Sequence, residues 1–304
     1  MSDKVIVTVA PTSNFHGKDA NPALPEQPAE IAQSVREAYD AGACLAHMHA
    51  RDANGVQSTD PAIVTQINAQ VRAACPVIIQ NSIAPAMGAN AEDAGTGMRT
   101  LDAFPEMSSI DLGYAVINLP QGEHHIGWSL SFLRKAALIM KERGIRPEME
   151  IFNNSQLDLA ATLIAEGLIE PPLSYSFVMG MNRANQSAMG WHPATLFSMV
   201  QLLPAGAKFS TLGVGPAQHP ATVQSLILGG GVRVGFEDSI TYRKGEPATS
   251  NAQLVERIVT IIRDLGMEPA TPAEAREMLG VPQLGTPESI ETRHPEYRVI
   301  REPA

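Results

Sequence analysis

Leu45-Ala46-His47-Met48-His49-Ala50-Arg51-Asp52 is the stretch on which the reading of the chain turns. It continues an apolar run that begins at Ala43-Cys44 and gives way to a turn, Asp52-Ala53-Asn54-Gly55. A short apolar run bounded by turn residues predicts a buried strand. Side chains two apart on a strand share a face, so His47 and His49 point together at the strand's end, with a charged pair just beyond. Two imidazoles on one rigid strand form half a site for a divalent metal such as zinc. A plainer reading stays open here: one histidine lines the core and the other bonds a backbone carbonyl.

Working outward, residues 5–10 read as a β-branched strand and residues 30–41 as an amphipathic helix ending at Gly42. Beyond the histidines, strands are predicted over 76–82, 107–112, 147–152, 174–179, 208–212 and 231–236. Helices are predicted over 62–74, 92–104, 128–143, 155–166, 193–203, 221–228 and 251–265, with a shorter one opening at Thr271-Pro272. Strand and helix alternate eight times, which predicts an α/β chain folded as a (β/α)8 TIM barrel with a C-terminal extension. A doubly wound open sheet is the rival, disfavoured because no Gly-rich dinucleotide turn follows the first strand. The expected division is a barrel catalytic domain over 1–281 and a tail over 282–304, either a subunit-contact arm or a flexible end.

The 304 residues suffice for one such barrel, for which about 250 is typical. A net charge of -10 argues against nucleic acid as a partner. An anionic ligand must be met by local cations or helix N-termini. Cys44 and Cys75 both adjoin apolar runs, which points to buried free thiols and a reducing compartment. Neither a signal sequence nor an apolar run of about 18 residues is present, so a cytoplasmic protein away from the membrane is expected.

In a barrel of this kind the active site lies at the C-terminal ends of the strands. Polar residues collect there: Thr12, Ser13 and Asn14 after the first strand, His47 and His49 on the second, Asn81 and Ser82 on the third. Ser109 and Asp111 lie on the fourth, Glu150 on the fifth, and Arg233 with Glu237-Asp238 on the eighth. A catalytic zinc needs a third protein ligand. Glu237 is the best placed, because the last strand of a closed barrel neighbours the first ones. Glu150 is the runner-up, or else a core acid paired with Arg233. Arg233 and Asp238 suit an ion pair whose carboxylate serves as a base.

These residues sit in longer stretches that resemble the β-keto acid cleavage enzymes. The stretches are His47-Met48-His49-Ala50-Arg51, Pro105-Glu106-Met107, Pro147-Glu148-Met149-Glu150, Gly213-Val214-Gly215 and Gly229-Gly230-Gly231-Val232-Arg233-Val234-Gly235-Phe236-Glu237-Asp238. Ser250-Asn251-Ala252-Gln253-Leu254-Val255-Glu256 and Ala270-Thr271-Pro272-Ala273-Glu274-Ala275-Arg276 follow in the same order, so the resemblance covers about residues 4 to 281. It implies zinc held by His47, His49 and Glu237, a homotetramer, and conversion of a β-keto acid and acetyl-CoA into acetoacetate and a new acyl-CoA. It further implies Asp238 as the base, oriented by Arg233, with Ser82 and Ser109 in catalytic supporting roles. Ser109 is matched to a threonine of the family's best-known member.

Asn14, Phe15 and Glu150 are the expected substrate contacts. Where that best-known member places an acid for the substrate's ammonium, this chain has Phe15 beside Asn14. A phenyl ring supplies no countercharge, so the expected substrate lacks a primary ammonium. A neutral or apolar keto acid fits, and the aromatic face also suits a quaternary ammonium. Asn153-Asn154-Ser155-Gln156 and Pro216-Ala217 depart from the family pattern too, the latter where a basic residue would meet CoA phosphates. Two other functions are weighed against this one: a zinc hydrolase on the same barrel, and a barrel that binds acyl-CoA or keto acid without turnover.

Overall fold

Eight short apolar runs pair side by side, all parallel, and close on themselves. They are β1 (Val7–Val9), β2 (Leu45–Met48), β3 (Ile78–Ser82), β4 (Met107–Asp111), β5 (Arg146–Ile151), β6 (Ser174–Met179), β7 (Lys208–Gly213) and β8 (Gly231–Val234). Val232 of β8 pairs with Val7 of β1, and Thr8 of β1 pairs with Leu45 of β2, which shuts the ring. The chain is therefore a (β/α)8 barrel, and the open-sheet alternative is excluded. This computed structural model describes residues 3–13, 15–86, 94–119 and 122–282. The tail expected over 282–304 lies, but for its first residue, outside the described residues.

Helices α1 (Pro28–Asp40), α2 (Pro61–Ala74), α3 (Leu130–Arg143), α4 (Gln156–Ala165), α5 (Pro193–Gln201), α6 (Gln218–Ile227), α7 (Asn251–Asp264) and α8 (Pro272–Leu279) accompany the strands. The hydrophobic layer lies between strands and helices. Val7, Val9, Ala46, Ile79, Val232 and Val234 pack there against Ile31 and Val35 of α1, Ile67 and Val71 of α2, and Val255 and Ile258 of α7. Residues of opposite parity carry polar groups: Gln80 on β3, Glu148 and Glu150 on β5, Ser176 on β6, Ser210 on β7 and Arg233 on β8, all buried. Buried polar groups must find partners, and here they find one another. Among the described residues no helix is long and apolar enough to cross a membrane.

Three local expectations change. The first predicted strand is split: Lys4–Val5 pairs with Glu268–Pro269 outside the barrel, and Val7–Val9 pairs within it. Of the residues predicted as a helix over 92–104, Ala94–Ala103 form a 3-10 segment, and residues 92 and 93 lie outside the described residues. Gly95 and Gly97 disfavour an α-helix there, and Gly97 packs so closely on the end of β3 that a Cβ would stand 1.8 Å from the Ile83 carbonyl oxygen. Trp128, predicted to open a helix, instead ends a β-hairpin formed by Gly113–Leu119 and Gly122–Trp128. Helix α3 starts two residues later because the Ser129 hydroxyl caps it, accepting from the Phe132 N–H at 3.3 Å.

Candidate active site

β1 lies between β8 and β2, so groups leaving the ends of β8 and β2 meet above it. Gly235 makes the bend that brings them together. Its φ is +148°, and a Cβ would stand 2.2 Å from the Ala10 carbonyl oxygen, so a side chain there is excluded. The Glu237 N–H then donates to that same oxygen at 3.1 Å. Asn251, fully buried at the start of α7, accepts from the Phe236 N–H at 2.9 Å and donates to the Pro11 carbonyl at 3.0 Å, tying the bend to the end of β1.

The result is a tight triad. His47 Nε2 stands 3.4 Å from His49 Nε2, His49 Nε2 stands 3.1 Å from Glu237 Oε1, and His47 Nε2 stands 3.6 Å from Glu237 Oε2. The candidate ligand atoms of His47, His49 and Glu237 all lie within 4.8 Å of one another. His47 Nδ1 is 2.7 Å from Gln80 Oε1, and Gln80 Nε2 donates to Glu148 Oε2 at 3.0 Å. The amide oxygen accepts only, so Nδ1 carries the proton and Nε2 turns a free lone pair toward Glu237. Burial, reinforced by the Arg233 charge, lowers the His47 pKa to about 3, so the ring is neutral.

Glu237 Oε2 is buried without a hydrogen bond. Although burial raises its pKa, the charge of Arg233 outweighs that, and Glu237 stays ionised. Two nitrogens, one carboxylate and an orphaned buried oxygen converging on one point suit a divalent cation, and the N, N, O set is a zinc-type one. The link from His47 to Gln80 and Glu148 is the outer support such ligands need.

Arg233 occupies the centre of the acidic groups. Its Nε and Nη2 each donate at 3.0 Å to the two oxygens of Asp238, its Nη1 lies 3.2 Å from Glu150 Oε1, and Nη2 lies 2.7 Å from Glu237 Oε1. The Asp238 carboxyl is pushed up to about 7, chiefly by burial and also by Glu237, with Arg233 opposing. Glu150 is likewise raised by burial against the pull of Arg233.

These groups form part of the wall of a cavity of about 950 Å³. Ala115, Ile117, Ile126 and Trp128 of the hairpin line another side. Phe15 lines the cavity and is 41 % exposed. Arg51 holds the loop that carries Phe15, donating to the carbonyl of Ser13 at 2.5 Å and to that of His16.

His47, His49, Ser82, Glu150, Arg233, Glu237 and Asp238 are thus brought to one cavity, with Phe15 at its wall. Ser109 is not. It is fully buried beside Glu148 in the register of β4 and β5, whereas Asp111, two residues on, lines the cavity beside Glu150. Asn14 lies outside the described residues. Sequence reasoning passed over Gln80 as a support for His47; its only signal was a polar residue inside an apolar strand. It also passed over the hairpin, signalled by the apolar alternation of Ala115 and Ile117, and of Ile126 and Trp128.

Residues 4–281 match the family model described as beta-keto acid cleavage enzyme. The chain is 33% identical over 280 residues to a 3-keto-5-aminohexanoate cleavage enzyme of Acetoanaerobium sticklandii, covering 92% of this chain and 99% of the relative. It is 30% identical over 293 residues to a 3-oxoadipate:acetyl-CoA acetyltransferase of Cupriavidus necator, covering 93% of this chain and 97% of the relative. Among solved structures, ObcA bound to oxaloacetate superposes with a TM-score of 0.71 at 20% identity, over 86% of this chain and 68% of that one, a likeness of fold.

Proposed function

The chain belongs to the beta-keto acid cleavage enzyme family, and from that premise we propose that it converts a β-keto acid and acetyl-CoA into acetoacetate and a new acyl-CoA. It is an acyltransferase, as its relatives' names indicate. The observation that carries the fuller reading is the meeting of His47, His49, Glu237, Arg233 and Asp238 at one cavity wall. His47, His49 and Glu237 would hold zinc, which when bound supplies positive charge to polarise a substrate carbonyl.

Asp238 takes the proton from the carbon between the substrate's two carbonyls. Its raised pKa, about 7, suits a base working near neutrality. Arg233 grips both Asp238 oxygens and keeps the carboxylate aimed while its own charge faces the developing anion. The carbanion attacks the acetyl thioester and expels CoA thiolate. The thiolate then attacks the original keto carbonyl, the carbon–carbon bond breaks, and acetoacetate leaves as its carbanion, reprotonated by Asp238.

The apolar hairpin wall and Phe15 favour a keto acid whose side group lacks a primary ammonium. The same reading keeps a homotetramer, checked by light scattering. Incubation with zinc, acetyl-CoA and a panel of β-keto acids tests the proposal: acetoacetate is expected, and only when acetyl-CoA is present. Hydrolysis without CoA would replace it with a metal hydrolase, and binding without product with a non-catalytic barrel.

A further inference from the structure

Four carboxyl groups gather about the guanidinium of Arg233, and the reaction above uses only two of them. Arg233 touches Glu150, Glu237 and Asp238 directly. The fourth, Asp111, lies one strand further round: the register of β4 and β5 sets it beside Glu150, and the Leu112 N–H bonds the Glu150 carbonyl at 3.3 Å. The Asp111 and Glu150 side chains are hydrogen-bonded to each other, Asp111 is 6 % exposed, and both line the cavity.

Ionised carboxylates only accept hydrogen bonds, so a bond between two of them requires a proton. Arg233 contacts the other three carboxyls and not Asp111, so Asp111 is the one that keeps its proton. Burial and the neighbouring Glu150 charge hold Asp111 well above the usual carboxylate range. Asp111 therefore acts as a donor, as a hydroxyl would, while Glu150 keeps the charge that meets Arg233.

We propose that Asp111 is a positioning residue: its carboxyl O–H donates to Glu150, Glu150 braces Nη1 of Arg233, and the braced guanidinium holds Asp238 aimed at the substrate. Without the donor, Glu150 is left, among the described residues, with its contact to Arg233 alone, and the guanidinium is held less firmly on the side opposite Asp238. The inference rests on the proposed role of Asp238 as base.

The test compares Asp111→Asn, which keeps an N–H donor toward Glu150, with Asp111→Leu, which has none. In the acetoacetate assay, Asp111→Leu is expected to lose at least tenfold in kcat with the KM for acetyl-CoA and the zinc content unchanged. Asp111→Asn should recover kcat to within about threefold of the parent. A leucine variant at parental kcat, or an asparagine variant as slow as leucine, overturns the inference. Asp111→Ala takes the place of leucine should that variant not fold. Melting temperatures of Asp111→Ala, Glu150→Gln and the double variant judge the pair without turnover. The double is expected to be no less stable than the weaker single, and additive losses overturn the pairing. A parent protein that makes no acetoacetate from any β-keto acid sinks the reading of function, and the melting cycle then decides the Asp111–Glu150 link alone.

Discussion

Glu237 Oε1 stands 3.1 Å from His49 Nε2 although 188 positions of sequence separate the two residues. The proximity follows from closure: β1 pairs with β8 on one side and β2 on the other, and the bend at Gly235 carries Glu237 across the end of β1. The adjoining Asp238 is turned instead onto Arg233. Neighbours in sequence thereby face different partners.

That division of labour sets the first expectation. Glu237→Gln should lower the zinc content of the purified protein, read by elemental analysis. Asp238→Asn should keep zinc and lose turnover by about 10²–10⁴-fold, the usual contribution of a positioned base. Equal loss of zinc in both variants would contradict the assignment.

Gln80 is expected to matter without touching the ion. Its amide oxygen fixes the His47 proton on Nδ1, and removing such a support commonly costs ten- to a hundredfold in metal affinity. Gln80→Leu should show that loss in competition with a coloured chelator. An unchanged affinity would remove Gln80 from the site.

Glu148 gives a pH dependence with a defined sign. Burial, aided by the Glu150 charge, raises its pKa from 4.5 to about 7. Between those values the folded protein keeps a proton that the unfolded chain has released, so this group's stabilisation is full below 4.5 and is lost as pH rises through about 7. Its size is up to about 3 kcal/mol. Melting of the metal-free protein should therefore flatten over this range in Glu148→Gln. A profile identical to the parent's would mean that Glu148 ionises normally.

Phe15→Glu should change which substrate is accepted. The side chain lines the cavity from a loop clamped by Arg51, so a carboxylate there faces the bound keto acid. We expect the ratio of kcat/KM for an ammonium-bearing over a neutral β-keto acid to rise at least tenfold. No change in that ratio would place Phe15 outside the specificity surface.

The barrel was legible in the sequence because each strand is an apolar run stopped by a turn residue, and the ring then dictates that Glu237 meets His47 and His49. Depth along a strand was not legible. Ser109 and Asp111 share a parity, and which of them reaches the cavity depends on how far neighbouring strands are staggered, a quantity that appears only once β4 pairs with β5. Gln80 escaped notice for a related reason: a polar residue within a strand reads as its end until its bond to Glu148, two strands round the barrel, is seen. The hairpin was hidden by Trp128, whose apolar ring continues the helical spacing of α3 while the backbone is still extended.

The seam between the first and last strands has a consequence for how the molecule is made. A growing polypeptide presents its imidazoles early but must wait for about three quarters of these 304 residues before the carboxylate arrives. An ion captured before then would be held by two donors at best, and its full grip would develop only as the seam is sewn. Because binding favours the state that binds, the ion would act as a rivet for the circle's last join, and metal starvation would be felt first as a barrel that springs open there.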